Sequence, residues 1–202
     1  MMKHNAKNER IKRQYFAYLK EAMRYSEPTV DAVAKALARF EADTRFRDFR
    51  GFHFEQAIAF KRRLAEQKAQ RSGEVLSKAT LNATLAALKR FFHWLAGQPG
   101  YKSSLQYSHA DYFNLPEKDV RVATARREQK GPTVEQVKRV IALMPHDSAI
   151  ERRDRALVAF TLLTGARDSA IASMKLKHVD LAVGRVHQDA REVHTKFSKT
   201  FM

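Results

Sequence analysis

Lys78, Asn82, Lys89 and His93 recur at three- and four-residue steps around a small Ala86, so on a helix they stand one above another. Lysine can pair with phosphate or guanine, and asparagine can hydrogen-bond adenine, so this stripe carries the side chains needed to approach a nucleic-acid groove. It would equally serve as the wet side of an amphipathic helix. The balance of charge bears on the choice. Across 202 residues, 38 Lys plus Arg stand against 22 Asp plus Glu, a formal charge of +16, of which +12 falls in residues 1–130 and +4 in 131–202. Phosphate polyanions are the natural partners of such a chain, because neutralising them releases condensed counterions. Charge alone does not choose between DNA and RNA, and a basic ribosome-associated or merely well-solvated protein would carry the same excess.

Other chemistries find little in the composition. Cysteine is absent, which excludes disulfides, thiol nucleophiles and Cys-based zinc sites. The seven glycines form no phosphate-binding loop, no His pair has helical metal spacing, and no carboxylate cluster suggests a two-metal nuclease. No metal and no cofactor are expected. Met1 to Ile11 is polar and basic with no apolar core for a signal peptide, and the longest mainly apolar stretch, Ala156 to Leu163, is too short to span a bilayer. A soluble intracellular protein with no membrane partner is expected, and 44% hydrophobic residues suffice for a core.

Several elements must position the stripe. A first helix is expected from about Ala6 to Arg24. A second opens at Pro28 and Thr29 and ends near Thr44, with Val30, Val33, Ala34, Leu37 and Phe40 on one side. Arg45 to Phe52 alternates Arg and Phe around Gly51, a basic, aromatic connection to a helix over about His53 to Gln70 that buries Phe54, Ala57, Ile58 and Leu64. The stripe itself lies on the strongest helix, about Lys78 to Leu95. Ser77 is its N-cap, Leu81, Leu85, Leu88, Phe92 and Leu95 form its apolar face, and Gly97, Pro99 and Gly100 stop it. Glu117 to Gly131 shows no apolar period and reads as a linker rich in Arg121, Arg126, Arg127 and Lys130. Thr133 and Gln136 have capping-box spacing and start a second domain near residue 132, with Val134, Val137, Ile141 and Met144 as a stripe.

The run Ala156–Leu163 sits in a helix from about Glu151 to Thr164, apolar enough to be buried nearly all round, with Gly165 placed to end it in a left-handed conformation. A short helix over about Asp168 to Met174 follows. Val179, Leu181, Val183, a Gly184 turn, Val186 and later Val193 then suggest short antiparallel strands.

From Arg155 to Arg167 the chain reads Arg-Ala-Leu-Val-Ala-Phe-Thr-Leu-Leu-Thr-Gly-Ala-Arg, continued by Ser169, Ile171, Met174, Leu176 and Val179-Asp180. This stretch resembles the start of the catalytic domain of tyrosine recombinases, the phage-type integrases. Thr195-Lys196-Phe197-Ser198-Lys199 has the Lys-x-x-Lys spacing of that family's β-hairpin, and the helical first part looks like its core-binding domain. The resemblance implies a mainly α fold: a helical, SAM-like core-binding domain over residues 1–116, a linker over 117–131, and over 132–202 the first part of an α+β catalytic domain with a small antiparallel β-hairpin.

It also implies cofactor-free transesterification of double-stranded DNA, in which a tyrosine attacks a backbone phosphate, forms a 3′-phosphotyrosyl link and releases a 5′-hydroxyl. Arg167 matches the first catalytic arginine, whose planar fork can hold two phosphate oxygens. Lys196 matches the hairpin lysine that protonates the leaving oxygen, with Lys199 the second choice. Lys78, Asn82, Lys89 and His93 would contact DNA, and Arg126, Arg127 and Lys130 would cross its backbone as the two domains close around the duplex. Departures accompany the matches. Where the family commonly has an acidic residue three positions after the arginine, Ala170 stands here, with Asp168 as a neighbouring substitute. All six tyrosines precede Arg167, and no His-x-x-Arg element follows it before Met202.

The chain is therefore expected to be a truncated recombinase, acting at bacterial nucleoid DNA in the cytoplasm, that binds DNA without cleaving it alone and forms no stable homotetramer. Its cut catalytic domain is expected to expose apolar surface. A non-enzymatic competitor of a full-length recombinase relative at recombination sites, and a basic helical RNA-binding protein, are the alternatives.

Overall fold

Helix boundaries in the first half follow from which side chains cap them and where the apolar residues fall. Asn5 opens helix α1 (Ala6–Ala17), its side chain accepting from the backbone N–H groups of Lys7 and Asn8. Ile11, Tyr15 and Leu19, four apart, are buried. The last turn, Tyr18–Ala22, loosens into a π-helical turn, and the chain leaves it through Arg24 at φ 54°, so the helix ends short of the expected Arg24. Helix α2 (Glu27–Asp43) carries Pro28 in its first turn, where a missing N–H costs nothing. It buries Val30, Val33, Leu37 and Phe40; Ala36 and Glu41 are buried with them, while Ala34 is only half-buried.

Arg45 and Phe46 both adopt left-handed backbone angles (φ 56° and 58°) to reverse the chain after α2. The Arg–Phe alternation then resolves into two sides: Phe49 and Phe52 are buried, whereas Arg45, Arg47 and Arg50 are exposed. Helix α3 (Phe54–Glu66) buries Ala57, Phe60 and Leu64, with Phe54 and Ile58 half-buried. Helix α4 (Lys78–Ala96) starts where expected, the Ser77 hydroxyl accepting from Thr80 N–H at 3.2 Å. Its whole expected apolar face is buried, and Phe91, Thr84 and Ala87 widen it. Around that face Phe40, Phe49, Phe52, Phe60, Phe91, Phe92 and Phe113 interlock mostly edge-to-face, with Phe52 stacked on Phe92 at 3.7 Å between ring centres.

The computed structural model describes residues 4–69, 72–126, 131–195 and 199–202, and the chain divides into two units, Met1–Arg127 and Glu128–Met202. The fold is mostly helical with a small antiparallel β-hairpin near the C-terminal end. One expectation needs correcting in the first unit. Within the segment read as a linker, Glu117–Thr124 forms helix α5, which packs on α4. Two turns are too short to display a period, and Val120, half-buried, is its main apolar contact while Val122 is exposed, so the pattern was invisible in sequence.

In the second unit, capping boxes start both longer helices. Thr133 and Gln136 cap α6 (Val134–Leu143), and Ser148 and Glu151 cap α7 (Ala149–Thr164). Gly165 ends α7 at φ 61°, as expected. Helix α8 (Asp168–Ser173) and a 3-10 turn (Leu176–His178) lead into β1 (Val179–Asp180) and β2 (Arg185–Val186), paired antiparallel with Val179 opposite Val186 and Asp180 opposite Arg185. Val193, expected on a strand, is buried in a turn instead. The core here is thin: Ala166, Ala170, His178 and Val193 are its buried residues among those described. Helix α7 is not buried all round. It packs on α6, none of its described residues is buried, Leu157 is 42% exposed and Leu163 84%. The apolar run marks a helix made to be covered, but the described residues of this unit cover only part of it.

One polar network ties the first unit together. Asn8, wholly buried, donates to Glu41 Oε1 (3.1 Å) and to the Arg47 carbonyl (2.9 Å) and accepts from Phe49 N–H (3.1 Å); Lys12 Nζ sits 2.6 Å from Glu41 Oε2. Burial opposes the charge on Lys12, but the hydrogen bonds it donates to Glu41 and Glu9 outweigh it and raise its pKa above the ordinary 10.5. That pair is therefore complete at neutral pH and is lost only as pH climbs through the raised value. Replacing Asn8 by Ala orphans the buried Phe49 N–H and strips a partner from Glu41. A loss of about 2–4 kcal/mol is expected in urea unfolding followed by circular dichroism.

Candidate nucleic-acid interface

Because Ser77 sets the start of α4, its register places Lys78, Asn82, Lys89 and His93 on the side away from Leu81, Leu85 and Leu88. They do share a face. That face is not bare, however. A 3-10 helix, Tyr107–Phe113, is anchored beside it by the buried Ala110 and Phe113, and α5 lies alongside. These elements bring acids to the bases: Lys78 Nζ lies 2.9 Å from Asp119 Oδ2, Lys89 Nζ 2.8 Å from Asp111 Oδ1 and 3.0 Å from Asn114 Oδ1, and His93 Nε2 3.3 Å from Asp111 Oδ1. A carboxylate only accepts, so that imidazole nitrogen carries the proton. Asn82 is half-buried and lines, with Ala86 and Lys89, a concavity of about 460 Å³ closed by Asn114, Leu115 and Val120.

The hydrogen bonds from Lys89 and then His93 hold the Asp111 carboxyl below the ordinary carboxylate range. All these pairs face solvent, where such contacts are weak and easily exchanged for another anion. The sequence reading missed Asp111 and Asp119 because no pattern relates them to the stripe. Other basic ground was legible only as composition. Arg45, Arg47 and His53 line a concavity of about 500 Å³ beside Arg63, whose guanidinium is held by Asp43 through two 2.6 Å bonds. Lys7, Arg10 and Arg50 line another of about 600 Å³ with Tyr101. Arg126 is exposed just beyond α5; Arg127, Lys130 and Lys196 lie outside the described residues.

In the second unit the left-handed Gly165 turns the chain out of α7, and Arg167 follows as the extended N-cap of α8. It is exposed, and its side chain has no ion pair or hydrogen bond among the described residues. It lines a concavity of about 520 Å³ with Thr164, Arg185, Gln188 and Thr195, and among the described residues no acidic side chain is part of that wall. Ala170, three positions after Arg167, is buried and lines the same space. Asp168 is no substitute for an acid there: its carboxylate accepts from Ser169 N–H at 2.7 Å, at the start of its own helix.

Comparison with known proteins supplies the decisive observation. Residues 13–98 match the family described as "Phage integrase, N-terminal SAM-like domain". The tyrosine recombinase XerC of Lactobacillus delbrueckii subsp. bulgaricus is 28% identical over 179 residues, 87% of this chain and 55% of that protein. The XerC of Bacillus pumilus is 24% identical over 192 residues, 95% of this chain and 56% of its own length. A 31% identity with the XerC of Salmonella typhi covers 59% of this chain and 35% of that one. Over most of its length this chain is similar to tyrosine recombinases. It spans about half the length of the curated relatives it matches. No solved structure matches it.

The recombinase family match over residues 13–98 runs from within α1 to the end of α4 and so contains the whole α4 stripe. Among the described residues, no helix is long and apolar enough to cross a membrane. Neutralising the acids beside α4 should unmask its bases. An Asp111→Asn, Asp119→Asn double variant is expected to elute from heparin at salt higher by roughly 0.1 M than the unaltered chain. Because the Asp111 pKa is depressed, its contribution to stability is present above the ordinary value of 3.8 and lost as pH falls through the folded value. Unfolding followed down to strong acid should therefore show a shallower acid limb for Asp111→Asn.

Proposed function

We propose that this chain binds duplex DNA through the α4 face of its first unit and holds a backbone phosphate at Arg167, as the DNA-gripping part of a site-specific tyrosine recombinase. The observation that carries this reading is the setting of Arg167. An exposed guanidinium, among the described residues unpaired and lining a concavity with no acidic wall, is a poor structural element and a good receptor for an oxyanion. A fork of that kind stabilises the charge that builds on a phosphodiester as a nucleophile enters and the 5′ oxygen leaves. Lys196 is the residue we assign to protonating that leaving oxygen, on its family motif alone.

The nucleophile is a different matter. Every tyrosine of these 202 residues precedes Arg167, and none stands at the family's nucleophile position. On this reading the 202-residue polypeptide binds DNA, leaves it uncut, and could occupy recombination sites in competition with a full-length relative.

Fluorescence anisotropy with duplex DNA across a salt series tests the reading. Lys78→Ala with Lys89→Ala is expected to weaken binding about tenfold at 0.1 M salt and to flatten the salt slope by about 2. Arg167→Gln is expected to weaken it only about threefold, since one phosphate contact among many is lost. Tighter binding to structured RNA than to duplex DNA would overturn the proposal. A covalent protein–DNA adduct on a nicked suicide substrate would overturn its non-cleaving part.

A further inference from the structure

The concavity that holds Arg167 has a second cation whose place the sequence motif did not foretell. Arg185 is the first residue of β2 and directly follows Gly184, which turns the hairpin at φ 63°. Its partner across the ladder is Asp180, the obvious counter-ion. Asp180 is otherwise engaged: one of its carboxylate oxygens accepts from Ala182 and Val183 N–H at 3.0 and 3.1 Å, tying the turn together. Among the described residues Arg185 makes no ion pair and no side-chain hydrogen bond, although it lines the same space as Arg167. Thr195 also lines that space, with its hydroxyl closed to solvent and without a hydrogen-bond partner among the described residues. Buried hydroxyls are rarely left so. Two guanidinium groups, both unpaired among the described residues, line one cavity and form a pair that an anion satisfies.

We infer that Arg185 is a second phosphate-binding residue, which together with Arg167 receives the two non-bridging oxygens of one phosphodiester. The inference rests on the reading of Arg167 as a phosphate contact and extends it to the hairpin. Two forks on separate elements, one past a helix end and one on a strand, fix the orientation of a tetrahedral diester where a single fork leaves it free to turn. A left-handed glycine immediately before or shortly before each arginine serves the same end. A Cβ on Gly165 or Gly184 would meet nothing within 4 Å, so the backbone turn rather than packing calls for glycine at both.

The test uses the 202-residue chain, isotope-labelled, with dimethyl phosphate as the diester probe and inorganic phosphate as the alternative source of the same anion. Dimethyl phosphate is expected to shift the side-chain Nε–H signals of both Arg167 and Arg185. Arg185→Gln is expected to raise its dissociation constant about fivefold, and Arg185→Lys, which keeps the charge but not the fork, about twofold. Preserved amide dispersion in residues 131–195 shows that each variant is folded; if Arg185→Gln loses it, Arg185→Lys decides. The inference is overturned, with the reading of Arg167 intact, if Arg167→Gln abolishes the response while both Arg185 variants bind as the unaltered chain does. Both fall if the diester shifts neither arginine. A response to inorganic phosphate alone would likewise overturn assignment of the cavity to a diester.

Discussion

Helix α4 has to stay dry on one side and wet on the other, and the first unit depends on that division. Its apolar side meets α2, α3 and the Tyr107–Phe113 turn through phenylalanines, edge-on between Phe40 and Phe92 and between Phe49 and Phe91, and stacked between Phe92 and Phe113. Its polar side carries the bases that could meet a phosphate backbone. Rotating the helix to wet Leu85 or Leu88 would dismantle the core, so the core packing also fixes the direction in which Lys78, Lys89 and His93 point. Position for binding is in this sense a by-product of hydrophobic burial.

The two units are stabilised to different depths. The first has a thick aromatic core and a buried Asn8–Glu41–Lys12 network that staples α1 to α2 and to the chain reversal at Arg45–Phe49. The second buries few side chains among its described residues, and its longest helix presents leucines to solvent. A scaffold of this kind relies on local devices: two capping boxes, left-handed glycines at 165 and 184, and the His178 ring, which accepts from Lys175 N–H and contacts Glu192. Those devices set where Arg167 and Arg185 emerge even though little core stands behind them.

Electrostatics works against simple counting of charge. The excess of +16 suggests an open basic surface, yet the stripe on α4 has acids as near neighbours, and Arg63 is held by Asp43. Exposed pairs of this sort hold little free energy and exchange readily with phosphate. They temper non-specific attraction without closing the face. At Arg167 the reverse holds, because among the described residues its wall has no acidic side chain.

The sequence by itself determined the helices and their ends wherever a local device was long enough to show: the Ser77 cap, the α4 stripe, the Thr133–Gln136 box, the Gly165 stop and the Thr-Gly-Ala-Arg motif that opened the way to the family. It did not reveal α5, whose two turns are too short to display a period, nor the burial of Phe60, which its neighbours Phe54 and Ile58 outcompeted in the pattern. It overstated the burial of α7, because an apolar run records what a helix is suited to, whereas burial depends on what lies around it. The acids beside α4 and the shared wall of Arg167 and Arg185 were decided by tertiary structure alone. Contacts between residues 18 or more positions apart depend on how whole elements pack, and no spacing along the chain encodes that.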